Sequence, residues 1–423
     1  MRVLWVCNIM LPMIAKQLGI PYSNKEGWLT GLAERILADD ANGITLGVCF
    51  PSETMFSGKL ADRELYYDSF REDTIHEETY DPALEERMAE IIERFRPDIV
   101  HCFGTEYGHT LAAVKAFGKP EKTLIGLQGI CYIYANHYLQ GVPDKVAKRS
   151  TFRDFIKNDN LITQQKKMKK RGEREIEALR LTGNVTGRTG FDKKAAQDVN
   201  PSVRYHFMNE TMRSNFYGPC WKLETCEKHS VFVSQGNYPI KGLHFMLRAL
   251  AILKESYPDI HLYVAGDNIT RTGSLKERLK VASYGKYIQD LIKENGLKTH
   301  VTFLGPLNAS QMCDRFLRSH VFASVSTIEN SPNSVGEAML LGVPVVSTKV
   351  GGVADMLADG EEGLLYETED VEALVAAIRR IFEEPEFGAQ ISEAARKHAW
   401  VTHDADANFA RLLEIYHDIN LYQ

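Results

Sequence analysis

Two glutamates in the run TIENSPNSVGEAMLLGVP (327–344), Glu329 and Glu337, are separated by seven residues across a turn and into a helix. Carboxylates so placed have two distinct uses. Ser334 with Glu337 three positions on has the pattern of a capping box, in which a hydroxyl and a carboxylate satisfy backbone N–H groups at a helix start. The same first-turn carboxylate can accept two hydrogen bonds from a ribose diol, and the open N–H groups around Ser334 to Gly336 suit a diphosphate. Capping does not require Glu329, so that residue is the sharper candidate for chemistry.

A second candidate is SQGNYPIKGLHFMLRAL (234–250), a strand end, a turn containing Gly236, then Lys241-Gly242 and a helix. A lysine beside a helix N-terminus suits an anionic phosphate, and a solvated turn lysine is the plain alternative. The order Lys-Gly-Leu, where a phosphate-binding P-loop needs Gly-Lys-Ser/Thr, argues against a nucleoside triphosphatase. No G-x-G-x-x-G follows any strand signal, which disfavours a dinucleotide-dependent oxidoreductase.

Elements capable of holding such residues are legible in both halves. Apolar β-rich runs occur at 2–7, 44–50, 98–103 and 123–129, and again at 230–236, 260–266, 301–305, 321–326, 343–348 and 363–366. Amphipathic stretches alternate with them at 28–38, 83–95 and 110–117, then at 243–255, 286–294, 311–318, 335–341, 371–383 and 393–398. Near-continuous apolar strands alternating with helices predict parallel sheets covered on both faces. The fold class is therefore α/β, with two Rossmann-like doubly wound domains. The boundaries fall at 1–200 and 201–403, with a terminal helix, 404–423, whose apolar face of Leu412, Leu413, Ile415, Tyr416 and Ile419 must be buried.

Composition bounds the function. The 423 residues are 44% hydrophobic and 25% charged with a net charge of -6, which argues against a nucleic-acid partner. Seven cysteines, an odd number with several in strand-like runs, read as buried thiols of a reducing compartment, and Cys220 and Cys226 lack the second pair that a zinc site needs. MRVLWVCNIMLPM lacks a small-residue cleavage site and reads as a first strand, so the expected location is cytoplasmic. The basic run QQKKMKKRGERE (164–175) admits a solvated helical face or peripheral contact with an anionic cytoplasmic membrane face.

From Phe322 to Tyr366, the E-x7-E pair, EAMLLGVPVVSTKVGGVADML and GLLY resemble the donor-binding signature of family 4 glycosyltransferases, retaining enzymes of the GT-B fold. The similarity extends back through Lys241-Gly242 and Ala265-Gly266. It implies a nucleotide-diphosphate sugar (UDP-, GDP- or ADP-linked) held mainly by the second domain, a glycan or lipid-linked acceptor on the first, reaction in the cleft between them, and a terminal helix, 404–423, returning to the first domain. Envelope polysaccharide synthesis is the expected setting. The resemblance gives Glu337 the ribose, Lys241 and Gly236 the diphosphate side, and Glu329 the transferred sugar's hydroxyls, with the amides of Asn333, Ser334 and Val335 completing a phosphate cradle. No metal and no further cofactor is implied.

Three departures stand out. The family's arginine ahead of the lysine is replaced by Gln235, Gly236 and Asn237, leaving Arg188 in VTGRTGFD as the substitute to test, against a structural pair with Asp192. The family's histidine at the end of the first domain's fourth strand is here Gln128, with His101 and His109 nearby as structural candidates. The usual Gly-Gly after the first strand is reduced to Gly27. These departures keep alive a nucleotide-sugar-binding regulatory or scaffold protein, and more weakly a GT-B epimerase or phosphorylase.

Overall fold

The computed structural model describes residues 1–21, 27–39 and 42–421. It divides into two compact units, Met1–Ile133 with Lys167–Arg213 and His403–Gln423, and Tyr134–Lys166 with Ser214–Thr402.

The first unit is built on eight strands: β1 (Arg2–Val6), β2 (Thr45–Pro51), β3 (Ser57–Lys59), β4 (Leu65–Phe70), β5 (Ile99–Phe103), β6 (Thr123–Gly126), β7 (Asn184–Gly187) and β8 (Arg204–Phe207). Their order across the sheet is β3-β4-β2-β1-β5-β6-β7-β8, parallel throughout except for β3 against β4. β1 and β5 are almost wholly apolar because helices cover both faces of the sheet. Trp5 is fully buried there, and its indole N–H donates to the Tyr416 hydroxyl at 2.8 Å. Tyr416 lies on the terminal helix Ala405–Leu421, which buries Leu412, Ile415, Tyr416 and Ile419 against this sheet. Each such apolar side chain contributes roughly 1.5–3 kcal/mol, so the periodic face read from the sequence finds its cover in the first unit.

In the second unit the strands are β9 (Glu227–Val233), β10 (His261–Ala265), β11 (Val301–Gly305), β12 (Ser319–Ser324), β13 (Val345–Thr348) and β14 (Leu364–Tyr366). All six overlap strands expected from the sequence, with β9 beginning and ending three residues before the expected 230–236. Their order, β11-β10-β9-β12-β13-β14, is entirely parallel. Counted from β9 it is 3-2-1-4-5-6, the doubly wound arrangement in which strand order reverses between the first and fourth strands. That reversal opens a crevice above the C-terminal ends of β9 and β12. Loops leaving those two strands are the ones that carry Lys241 and Glu329.

The boundary drawn at residue 200 is corrected in two places. Arg204–Phe207 pairs with β7, so the first unit runs on to Arg213. Residues Tyr134–Lys166, which the sequence placed in the first half, pack with the second unit. There Gly141 lies so close to the Phe245 ring that an added Cβ would meet it at 2.1 Å. Sheet membership follows strand pairing and such contacts, which a change in local composition does not report. The helix Leu161–Leu181 carries the chain from one unit to the other.

Candidate functional site

After β9 the chain passes Gln235, Gly236, Asn237 and Tyr238 into a short 3-10 turn, Pro239–Lys241, and then the helix Leu243–Ser256. Gly236 is buried beneath that helix, where an added Cβ would sit 2.8 Å from Leu243. Gly242 has φ +66°, and a Cβ there would lie 1.8 Å from the Val325 carbonyl oxygen. The glycine after Lys241 thus lets two strand ends touch, and the lysine is delivered to the loop that follows β12.

In that loop Lys241 Nζ lies 2.5 Å from Glu329 Oε1, and the Ser326 hydroxyl donates to the same oxygen at 2.7 Å. Both partners are largely buried, with 18% and 8% of their side chains exposed. Burial alone would pull the lysine down, but the Glu329 carboxylate beside it, helped by Tyr238, holds it protonated well above its ordinary range. The Tyr238 ring centroid is 5.8 Å from the ammonium.

The Glu329 loop is braced on every side. The Gly352 N–H donates to the Glu329 carbonyl at 3.1 Å, and Gly351, at φ +54°, would put a Cβ 1.8 Å from that same oxygen. The paired glycines of KVGGV are therefore a close approach of backbone to the acid's own peptide. The Thr348 hydroxyl donates to the Ser326 carbonyl at 2.7 Å, and the Thr327 N–H to that of Ile240 at 2.7 Å. From the Tyr134–Lys166 segment, the Tyr134 hydroxyl accepts from the Asn330 N–H and donates to its side-chain oxygen, each at 3.1 Å.

Helix Asn333–Leu341 starts immediately beyond. Its N-cap is Pro332, which makes no side-chain cap, so Ser334 and Glu337 do not form the expected capping box. The helix begins two residues too early for that box, placing Ser334 inside the first turn. Glu337 is buried, 5% exposed. The Val335 N–H is already committed to the Pro332 carbonyl at 3.0 Å, which removes it from the expected cradle and leaves Asn333 and Ser334, both half-buried, at the opening.

Gln128 and Arg188 come together in the first unit, through a residue the sequence did not single out. The Gln128 amide donates to Glu210 Oε1 at 2.8 Å, and Arg188 lies 3.5 Å from Glu210 Oε2. All three line one narrow pocket with His101 and Gly126 at the ends of β5, β6 and β7. Asp192 is a different kind of partner from the one expected: its carboxylate receives the Arg188 backbone N–H at 2.9 Å. Glu210 lies in the irregular MNETM stretch after β8, where periodicity carries no signal. Arg188 and Lys241 belong to different units.

His101 and His109 each make a contact inside the first unit. His101 is fully buried, 2.7 Å from the Tyr416 hydroxyl through Nδ1, and burial depresses it to about 3. His109 sits 2.6 Å from Glu72. Gly27 is the first residue of the helix Gly27–Ala38, and its surroundings at 22–26 lie outside the described residues. In the basic run, Lys167 pairs with Glu78 at 3.1 Å, Arg171 pairs with Glu77, and Arg174 donates to the carbonyls of Glu77 and Thr79. Lys166, Lys169 and Lys170 lie on the same helix, Leu161–Leu181, and all three are exposed.

Residues 221–398 match the model of the family described as glycosyl transferases group 1. Among curated relatives, the D-inositol 3-phosphate glycosyltransferase of Corynebacterium urealyticum is 29% identical over 182 residues, 43% of this chain and 41% of that one. A GDP-mannose-dependent alpha-(1-6)-phosphatidylinositol monomannoside mannosyltransferase of Mycolicibacterium smegmatis is 26% identical over 185 residues, 41% of this chain and 45% of that one. The chain spans about two fifths of the length of the curated relatives it matches. Among solved structures, a sucrose-phosphate synthase of Thermosynechococcus elongatus superposes with a TM-score of 0.71 at 14% identity, covering 99% of this chain and 98% of that one. HepE of Anabaena, in complex with UDP and glucose, superposes at 0.67 and 17% identity, covering 99% of this chain and 100% of that one. Both likenesses establish the fold.

Proposed function

We propose, from the match of residues 221–398 to the glycosyl transferases group 1 model and from the GT-B fold, a retaining glycosyltransferase that moves a sugar from a nucleotide-diphosphate sugar to a hydroxyl acceptor. The observation that carries this reading is the buried Lys241–Glu329 pair above the switch point of the second sheet. What supports the reading is that a lysine held there by a carboxylate, beside a helix start, can exchange that partner for an anionic diphosphate.

Before a donor binds, Glu329 neutralises the Lys241 cation internally. An arriving diphosphate takes the Lys241 ammonium and the open start of the helix Asn333–Leu341, and Glu337 accepts from the ribose diol. Glu329, released from the lysine but still bonded to Ser326, turns to hydroxyls of the sugar being transferred. The departing diphosphate serves as base for the incoming hydroxyl in a front-face displacement. The protein's contribution is then positioning and stabilisation of developing negative charge. The reaction needs no metal or other cofactor on this reading.

Within the UDP-, GDP- or ADP-linked donors, a UDP- or GDP-linked hexose is the proposed class. The M. smegmatis enzyme is GDP-mannose-dependent and HepE has been crystallised with UDP and glucose, which supports a UDP- or GDP-linked hexose. The acceptor is assigned to the first unit, with Gln128 and Arg188 as sugar-side groups, and a glycan or lipid-linked hydroxyl of a bacterial envelope as its class. The test is release of nucleoside diphosphate from a panel of UDP-, GDP- and ADP-hexoses, with and without candidate acceptors. Donor-dependent release supports the reading, and binding of donors with no release under any acceptor contradicts it.

A further inference from the structure

On the second unit, Phe152, Phe155 and Ile156 of the helix Phe152–Lys157 are 59%, 76% and 65% exposed, and Leu275 and Leu279 of the neighbouring helix Leu275–Lys280 are 73% and 45% exposed. Isolated apolar side chains on a surface are ordinary; five on two adjoining short helices are not.

The first helix is firmly placed. Thr151 and Asp154 form a capping box at its start, and Asp154 is buried. Its carboxylate accepts the Ser283 backbone N–H at 2.9 Å and the Ser283 hydroxyl as well. Phe152, Phe155 and Ile156 stand at i, i+3 and i+4 and are exposed where Asp154 is buried, so the helix is anchored through its acid and shows its apolar ridge to solvent. An ordinary surface helix does the reverse. The second helix has its own capping box, Ser274 with Glu277, and buries none of its side chains.

Charge selects the occupant. Residues 145–157 carry five Lys or Arg against one acid, and residues 271–280 carry four against one, in a chain whose net charge is -6. Lys148, Arg149 and Arg153 have local carboxylates in Asp144, Asp290 and Asp159, while Lys157, Lys276 and Lys280 stand on the two helices themselves. A second copy docking through the same face would bring like charge against like charge. A lipid surface takes both features at once, apolar side chains into the headgroup boundary and lysines onto anionic headgroups.

We infer that the ridge formed by Phe152, Phe155, Ile156, Leu275 and Leu279 is a peripheral docking surface for an anionic bilayer. No helix among the described residues is long and apolar enough to cross a membrane, so the contact is superficial and reversible. The inference stands apart from the transferase reading, because vesicle binding needs no turnover. It also moves the expected membrane contact away from the 164–175 run, where Lys167, Arg171 and Arg174 are occupied by the Glu77–Thr79 loop.

The test is co-sedimentation of the full chain with vesicles of phosphatidylcholine alone and of phosphatidylcholine with roughly one-third phosphatidylglycerol, at low and high salt. Two variants accompany it, Phe155→Ser with Ile156→Ser, and Lys157→Glu with Lys276→Glu and Lys280→Glu. These positions lie on the surface, so the thermal transition should be unchanged. The expected result is preference for the anionic vesicles, weakened by salt, with about tenfold loss in each variant. Equal or absent binding to the two vesicle types overturns the inference. So does a concentration-dependent dimer, or capture of an acidic protein, that the Phe155→Ser/Ile156→Ser variant abolishes while vesicle binding is unaffected.

Discussion

Glu329 Oε1 receives the Lys241 ammonium at 2.5 Å and the Ser326 hydroxyl at 2.7 Å, although the lysine and the acid arrive from different strands of the second sheet. Lys241 follows β9 and Glu329 follows β12, the two neighbours between which the strand order reverses. A buried pair of this kind is costly to break from one side only. Lys241→Met leaves Glu329 as an uncompensated carboxylate and should destabilise the second unit by about 3–5 kcal/mol. Lys241→Met with Glu329→Gln should cost markedly less than the sum of the single changes. Denaturant titration of the four proteins in the cycle checks this, and additive losses would mean the pair is not coupled.

Gly351 offers a way to disturb the site without touching a charged group. Replacing it by Ala forces a Cβ to within 1.8 Å of the Glu329 carbonyl at a φ of +54°, so the acid's loop must shift. Gly360, at φ +75° with open space around its Cα, is the control. Gly351→Ala should lower turnover by about tenfold or more, the scale on which small misplacements of a positioned group act. Gly360→Ala should cost about 1 kcal/mol of stability and leave turnover intact. Comparable kinetic effects at both positions would detach the glycine from the site.

The first unit carries a pH dependence of its own. Burial pushes the Glu175 carboxyl up to about 7, against the Thr105 hydroxyl and the Tyr132 N–H, which donates to it at 2.9 Å and favours its charged form. Because the folded value lies above the unfolded one, the folded state holds a proton that the unfolded state has lost between about pH 4.5 and 7. This group's contribution is fully present below that window and declines as pH rises through it, by an amount on the order of 3 kcal/mol. Glu175→Gln, which keeps a neutral acceptor in place, should flatten the decline. A wild-type and variant pair whose melting temperatures run parallel from about pH 4.5 to 8 would exclude it.

Gln128 and Arg188 share Glu210, so the three should act together. Gln128→Ala is expected to reduce turnover about tenfold or more while leaving thermal stabilisation by a donor nucleotide unchanged, because the proposed nucleotide-binding groups lie in the second unit. Loss of nucleotide-dependent stabilisation in this variant would contradict that division of labour.

The second unit is readable because its strands are buried on both faces and its turns carry glycines. VFASVS, VPVVST and the Lys-Gly pair stand out by composition alone, and alternation with helices points to a doubly wound parallel sheet, whose strand order the structure then supplies. Local pattern misleads where geometry is set by distant residues. Ser334 and Glu337 have the spacing of a capping box, yet the helix starts at Asn333 with Pro332 as its cap. Tyr134 reads as part of the first half and instead braces Asn330. Leu65–Phe70, with polar and aromatic residues in place of an aliphatic run, gives no strand signal yet pairs with β2. Glu210 has no periodic signal either, and only its contacts with Gln128 and Arg188 reveal it.

That the two glutamates of TIENSPNSVGE serve a nucleotide-sugar donor is the central claim. Its most direct measurement is release of nucleoside diphosphate from the donor that the wild-type protein accepts, compared across Glu329→Ala and Glu337→Ala. Glu329→Ala should lower the turnover number by about a hundredfold or more, the scale of a lost transition-state contact. Glu337→Ala should raise the KM for the donor, and because Glu329→Ala also breaks the Lys241 pair from one side, turnover is compared at a temperature where both variants are folded. Release at wild-type rates and an unchanged donor KM in both variants would contradict it.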